Sequence, residues 1–292
     1  MARCLVTGHK GYIGSEVYRQ LKNAGHDVWG IDLIDGHDIL ECLKPDNDGK
    51  FHPHWFNFRP EYIFHLAAIP RVVYSIEEPV RVIENNVLST LYVLEFARAC
   101  GSKRVIYSSS SSVLGNGLGP ESPYGASKYM PESMCGVWSR LYGLDTVCLR
   151  YFNVYSEDQK ADGPYATAVA NWMQHIRDDK NPFITGDGEQ RRDMAHKLDV
   201  VSANIFCMKQ EKRFNGRWFD IGVGDNASLN EMKEIALEFF PEVNFEYAPP
   251  RPGDVMTTKA NITPLEKLGW SPQYQIKEGV KECFQLLKKE LE

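Results

Sequence analysis

No run of apolar residues in the 292-residue chain is long enough to cross a bilayer, so no membrane span is expected. No C-x-x-C occurs. The seven cysteines (Cys4, Cys42, Cys100, Cys135, Cys148, Cys207 and Cys283) are odd in number and scattered. That pattern argues against a disulfide framework or a zinc site, and for reduced thiols in a cytoplasmic protein. Positive charge is in deficit: 33 Lys and Arg face 39 Asp and Glu, a net charge of −6. No global basic field favours nucleic acid, and an anionic ligand must be held by local groups. His52 and His54 flank Pro53 without a third ligand, so they read as solvated loop histidines and no metal is expected. The strand pattern begins at Cys4, which leaves no room for a signal peptide. Internal repeats and low-complexity segments are also missing.

What is present is an ordinary folding composition, 43% hydrophobic and 25% charged. Short runs rich in β-branched and aromatic residues read as strands: Cys4–Thr7, Val28–Leu33, Tyr62–His65, Arg104–Tyr107 and Thr146–Arg150. They lack the alternation of a half-wet antiparallel sheet, and continuous apolar strands suit a parallel sheet covered on both faces. Between them lie helical stretches at Tyr12–Ala24, Val80–Ala99 and Tyr124–Tyr142. The alternation predicts a doubly wound α/β fold. After about Phe152 the pattern loosens, with a strand at Trp218–Ile221, a helix at Leu229–Phe239 and a last helix from Ile276. Residues 1–152 are therefore expected to form a nucleotide-binding domain, to which later segments return. Residues 153–292 are expected to form a smaller C-terminal substrate-binding region on the carboxyl edge of the sheet.

Two places carry recognisable chemistry. Gly8-His9-Lys10-Gly11-Tyr12-Ile13-Gly14 lies between the first strand and the first helix. Glycines at this G-x-x-G-x-x-G spacing permit a tight turn and close approach of backbone to a pyrophosphate at the helix N-terminus. Asp32 follows 24 residues after Gly8, at the end of the second strand. A carboxylate there accepts ribose hydroxyls and repels a 2′-phosphate, and no Arg follows to offset it, so NAD is favoured over NADP. The second place is the serine-rich strand end Tyr107–Ser112 followed by Ser122-Pro123-Tyr124-Gly125-Ala126-Ser127-Lys128. Pro123 suits the first turn of a helix, which puts Tyr124 and Lys128 at i and i+4 on one face. An ammonium there would pull the phenol pKa down from about 10, making Tyr124 a candidate general base with a serine to relay the proton.

Taken in order, the glycine pattern, His65-Leu66-Ala67-Ala68, Glu84-Asn85-Asn86-Val87, the serine strand and Tyr124/Lys128 resemble the extended short-chain dehydrogenase/reductases that act on nucleotide sugars. Leu149–Tyr155, Gly186–Asp193 and Arg251-Pro252-Gly253-Asp254 extend the likeness over nearly the whole chain, and the motifs are closest to those of UDP-hexose 4-epimerases. The resemblance implies a Rossmann-type fold and NAD as cofactor, held by Gly8, Gly11, Tyr12, Ile13, Gly14, Asp32, Asp38, Ile39, Leu66, Ala67, Ala68, Asn85, Tyr124 and Lys128. It implies Ser110, Tyr124 and Lys128 as the catalytic set. Ser75, Ser110, Asn153, Arg192, Arg251, Asp254 and Thr258 would contact the substrate, with Arg192 and Arg251 on its diphosphate. Related enzymes pair two helices per subunit in a four-helix bundle, and Val80–Ala99 and Tyr124–Tyr142 each carry more apolar residues than one sheet contact needs. A homodimer is therefore expected.

The sequence departs from the family in three ways. The stretch from Gly115 to Tyr124 is short, which trims one wall of the sugar site. Leu114 stands where a Tyr is often found. Pro131 sits inside the catalytic helix and should kink it. Family dehydratases carry acidic residues just after the catalytic hydroxyl, and decarboxylases commonly a Glu. Here those places are Ser111 and Ser112, which titrate at no useful pH. The reaction implied is 4-epimerisation of a nucleotide sugar, with UDP-glucose/UDP-galactose and UDP-GlcNAc/UDP-GalNAc foremost. Another epimerase, a reductase or a 4,6-dehydratase stands second, and a non-catalytic NAD-binding regulator third.

Overall fold

The computed structural model describes residues 1–161, 167–250 and 255–292. Its elements run β1 (Arg3–Thr7), α1 (Gly14–Asn23), β2 (Asp27–Ile31), α2 (Ile39–Cys42), α3 (Pro53–Phe58), β3 (Tyr62–His65), α4 (Val72–Glu77), α5 (Pro79–Ile83), α6 (Ser89–Cys100), β4 (Arg104–Ser110), α7 (Pro123–Leu141) and β5 (Asp145–Tyr151). Then follow α8 (Ala168–Arg177), β6 (Phe183–Thr185), β7 (Arg191–Arg192), α9 (Lys197–Lys209), β8 (Arg217–Ile221), β9 (Ala227–Ser228), α10 (Leu229–Phe239), β10 (Glu246–Ala248), α11 (Thr263–Glu266) and α12 (Ile276–Leu291).

Six strands form one parallel sheet in the order β2-β1-β3-β4-β5-β8. The chain winds outward from β1 to β2, then restarts on the other side of β1 with β3. This reversal is the switch point at which open α/β sheets bind ligands, beside the carboxyl ends of the strands. Leu5, Ile31, Ile63, Val105 and Cys148 from the sheet pack in one buried cluster with Leu94, Phe96 and Ala97 of α6. Strands covered on both faces need no polar alternation, which is why they read as apolar runs.

The chain forms two compact units. One contains Met1–Arg150 and Val201–Phe219; the other contains Tyr151–Val200 and Asp220–Glu292. The second has its own core, in which Trp172 and Met173 of α8 pack with Ile235 of α10 and Val280 and Phe284 of α12. α10 opens with a capping box: Ser228 and Glu231 each satisfy the other's backbone N–H. All seven cysteines are free. Among the described residues no helix is long and apolar enough to cross a membrane, and no group of three or more His, Cys, Asp or Glu is placed to hold a metal.

Several elements differ from expectation. β4 continues through Ser110, three residues beyond Tyr107. The helix expected over Val80–Ala99 is interrupted by a π-helical turn at Glu84–Leu88. Asn86, in that turn, is 2% exposed: its amide accepts from Ile69 N–H and donates to Ile69 C=O and Ser127 Oγ. Widening the helix by one residue aims this side chain at a partner off the helix axis, a use often seen at functional sites. α7 contains Pro131, as the sequence placed it. His52 caps α3 by accepting the His54 N–H, and His54 packs against the Trp29 ring.

Candidate active site

The switch point is built of bare backbone. A β-carbon at Gly14 would lie 2.0 Å from the Gly8 carbonyl oxygen, and one at Gly8 would lie 2.8 Å from the Ala67 amide nitrogen. The loops after β1 and β3 therefore touch, and only glycine fits their contact. No side chain caps the N-terminus of α1; the Ser15 N–H turns back to the Gly11 C=O, and the helix end faces the site with its positive dipole. Behind the loops His65 is buried between Thr7 Oγ1 at 2.8 Å and Thr90 Oγ1 at 3.0 Å, and burial pushes its pKa down to about 3. A neutral imidazole thus ties β1, β3 and α6 behind Leu66, Ala67 and Ala68, which emerge half-buried at the site.

Asp32 lies one residue beyond β2. Its carboxylate accepts N–H bonds from Lys10 at 2.9 Å and Ile34 at 3.0 Å. Each carboxylate oxygen keeps a free lone pair, so ribose hydroxyls can still donate to it. Asp38 is the N-cap of α2 and accepts from the Leu40 N–H. Ile39, expected at the cofactor, has its side chain 6% exposed in the apolar core, so only its backbone is placed to meet a cofactor. Tyr12, Ile13 and Asn85 are half-buried at the rim.

The catalytic residues meet between β4 and the first turns of α7. Ser122 caps that helix by accepting the Gly125 N–H at 3.0 Å, with Pro123 in the first turn. Ser75, expected to contact substrate, is fully buried, and its hydroxyl donates to the Val72 C=O and accepts the Tyr124 N–H at 3.0 Å. It satisfies a helix-end amide that Pro123 leaves without a local partner, and so anchors the start of α7. Tyr124 is 9% exposed and its phenol is hydrogen-bonded to Ser110. Lys128, 4% exposed, donates from Nζ to the Ser108 C=O at 2.9 Å and sits over the Tyr107 ring.

One expected effect is reversed. Lys128 does not pull the Tyr124 pKa down, because its ammonium is held by Ser108. Burial raises the phenol, with only the Ser110 hydrogen bond opposing. Burial also lowers Lys128, to about 7. This has a measurable consequence. A lysine whose folded pKa of about 7 lies below its unfolded value binds fewer protons folded than unfolded at intermediate pH. The burial penalty is full below pH 7 and is relieved as pH rises towards the unfolded value. Wild type should therefore gain stability over Lys128→Met as pH rises from 7 to 10, by up to about 1.4 kcal/mol per unit. Urea melts of both proteins at pH 7 and 9.5 check this, and a constant difference would contradict it.

Beneath these residues is a pair that motif reasoning missed. Arg150 forks onto Glu132 at 2.8 and 2.6 Å, Ser109 Oγ donates to Glu132 at 2.6 Å, and Arg150 stacks on Trp218 at 3.8 Å. Both charged side chains are under 8% exposed. Glu132 stands at i+4 from Lys128, a spacing that continues the Tyr124–Lys128 face and was readable from sequence. The trimmed loop after Leu114 doubles back through Gly115, Gly117 and Gly119, all at positive φ, and is closed by Asn116 on Glu121.

The second unit holds a pocket lined by Asn153, Asn171, Trp172, Phe183, Gln190 and Arg192, with further apolar residues. Asn153 has φ of 33° and donates to the Asp193 C=O at 2.7 Å, with Thr258 Oγ1 at 3.5 Å. The Asp193 carboxylate accepts the amides of Val223, Gly224 and Ala260, although burial raises its pKa to about 6. It thereby joins three loops of this unit. Arg251 and Asp254 lie outside the described residues.

The sequence pattern of the NAD dependent epimerase/dehydratase family matches residues 4–222. The chain belongs to that family. A UDP-glucose 4-epimerase of Mycolicibacterium smegmatis is 32% identical over 98% of both chains. Among solved structures, the UDP-glucose 4-epimerase of Thermotoga maritima with UDP-glucose superposes with TM-score 0.86 at 31% identity, covering 99% of this chain and all of the other. The UDP-N-acetylglucosamine 4-epimerase of Methanobrevibacter ruminantium, in complex with UDP-N-acetylmuramic acid, gives 0.87 at 27%, covering 99% of each. The Thermus thermophilus UDP-glucose 4-epimerase was solved with NAD. NAD is the cofactor of this epimerase/dehydratase.

Proposed function

We propose that the protein is an NAD-dependent nucleotide-sugar 4-epimerase. The observation that carries this reading is the buried cluster of Ser110, Tyr124 and Lys128 behind a glycine loop that only bare backbone can form. No carboxylate follows Ser110; Ser111 and Ser112 stand there, so the acid and base that elimination of water needs are missing at that place. NAD supplies reversible hydride acceptance at the sugar's C4. Tyr124 removes the C4 hydroxyl proton and later returns it, with Ser110 orienting the phenol. Lys128 and Asp32 hold the cofactor's two riboses. In this reading the first unit carries cofactor and chemistry. The second supplies the nucleotide pocket, where Arg192 meets the diphosphate and Asn153 the sugar nucleotide. A planar guanidinium fork suits phosphate oxygens. The working compartment in this reading is the cytoplasm. A panel of nucleotide sugars resolved by NMR tests it.

The substrates we infer are UDP-glucose/UDP-galactose and UDP-GlcNAc/UDP-GalNAc. In UDP-hexose 4-epimerases the position matching Thr258 lies beside the C2 substituent. A Tyr there fills the space an N-acetyl group needs, and overfilling a packed site costs about 1–3 kcal/mol. Thr258→Tyr should therefore lower kcat/KM on the N-acetyl pair about 5- to 150-fold and spare the hexose pair. No wild-type turnover of N-acetyl sugars, or an unchanged preference in the variant, would contradict this.

We also propose a homodimer. Val80 on α5 and Leu88 after it, with Tyr129, Met130, Val137 and Leu141 on α7, are large apolar residues left exposed. Large apolar residues exposed together on α5 and α7 suit an interface. Light scattering should give twice the chain mass at micromolar concentration; the monomer mass would count against the dimer.

A further inference from the structure

The glycine loop carries two residues able to bear positive charge, His9 and Lys10, and both turn to one carboxylate. His9 Nε2 lies 2.9 Å from Asp35 Oδ2, and Lys10 Nζ lies 3.7 Å from Asp35 Oδ1. Asp35 ends the 3-10 turn Leu33–Asp35, which Asp32 caps. The same Lys10 gives its backbone N–H to Asp32. His9 is firmly seated. Its side chain is 9% exposed, it packs on Tyr18, and a β-carbon at Gly30 would lie 2.3 Å from its ring. Lys10, by contrast, is half exposed on a flexible stem and can follow whichever anion is nearest.

We propose that Asp35 is a second determinant of coenzyme choice, because it occupies Lys10 and His9, which would otherwise form a phosphate site beside Asp32. Asp32 by itself does not fix the local sign of charge. It is one carboxylate, bonded to the amide of a residue that carries an ammonium. With only that pair, a 2′-phosphate on the ribose at Asp32 would meet no net repulsion. Asp35 takes up the Lys10 ammonium and so leaves the repulsion of Asp32 uncompensated. The Lys10 backbone already touches Asp32, and the flexible four-carbon stem lets its ammonium swing from Asp35 towards an anion placed there. The inference rests on Asp32 holding the adenosine ribose and is tested separately from that placement.

The test is fluorescence titration of the full-length protein with NADH and with NADPH, for wild type, Asp35→Asn, Asp35→Asn/Lys10→Ala and Asp32→Ala. Asp35→Asn should bind NADPH ~10-fold more tightly than wild type, with NADH affinity within ~2-fold. The gain should shrink as salt is raised and vanish when Lys10→Ala is added. Unchanged NADPH affinity in Asp35→Asn, or an equal change for both coenzymes, overturns the proposal. Failure of the ribose placement shows itself elsewhere, as NADH affinity that Asp32→Ala leaves untouched.

Discussion

Tyr124→Phe is expected to lower kcat by about 10²–10⁴-fold, the span that a positioned general base contributes, while leaving NAD bound and the fold intact. The substitution removes one oxygen. The ring stays in its buried place at the start of α7, whose amides are held by Ser75 and Ser122 rather than by the phenol. Ser110 loses a partner but keeps its contact with Ser112 at 3.1 Å. The effect should fall on kcat more than on KM, because the phenol acts on the reacting hydroxyl. Burial holds the phenol above its ordinary range, with only the Ser110 hydrogen bond opposing, so catalysis at neutral pH requires the bound cofactor to bring it down. Near-normal turnover in Tyr124→Phe would remove Tyr124 from the chemistry.

The second large effect is on stability. Glu132→Ala should cost about 3–5 kcal/mol, the range for breaking a buried ion pair from one side. Arg150 would then be left charged and under 8% exposed, stacked on Trp218 but without its carboxylate. Ser109 Oγ would also lose its acceptor. The double variant Glu132→Met/Arg150→Met should cost less than the single one, since no uncompensated charge remains. Urea denaturation of both variants decides this. A loss below about 1 kcal/mol in Glu132→Ala would mean that Arg150 relaxes to solvent. Ser109 lies between Ser108, which holds Lys128, and Ser110, which holds Tyr124. The pair therefore fixes the segment that supplies both contacts.

Much of this could be read from residue types alone. Buried parallel strands announce themselves as apolar runs, and the Gly8–Gly14 spacing has little use other than close backbone contact. The i, i+4 relation of Tyr124 and Lys128 is a property of helix geometry, so it too was legible. What the lysine points at was not. That Nζ would meet the Ser108 carbonyl depends on where β4 ends, and β4 runs three residues further than its β-branched core suggests. The π-turn at Glu84–Leu88 leaves the apolar periodicity almost unchanged, since one extra residue is absorbed within a turn. Ser75 and Ile39 were placed by motif, and that the Ser75 hydroxyl also anchors α7 and the Ile39 side chain lies in the core could not be read from it. The pocket of the second unit gathers Asn153, Asn171, Gln190 and Arg192 from separate elements, and no local pattern marks such a set.

One measurement bears most directly on the central claim. UDP-glucose deuterated at C4 is incubated with the protein and NAD, with no other oxidant or reductant, and followed by NMR. The account predicts UDP-galactose that keeps deuterium at C4, with no net reduction of NAD, because the hydride removed is the hydride returned. Loss of the label to solvent, inversion at another carbon, loss of water or carbon dioxide, or no conversion of this or any other nucleotide sugar would contradict it.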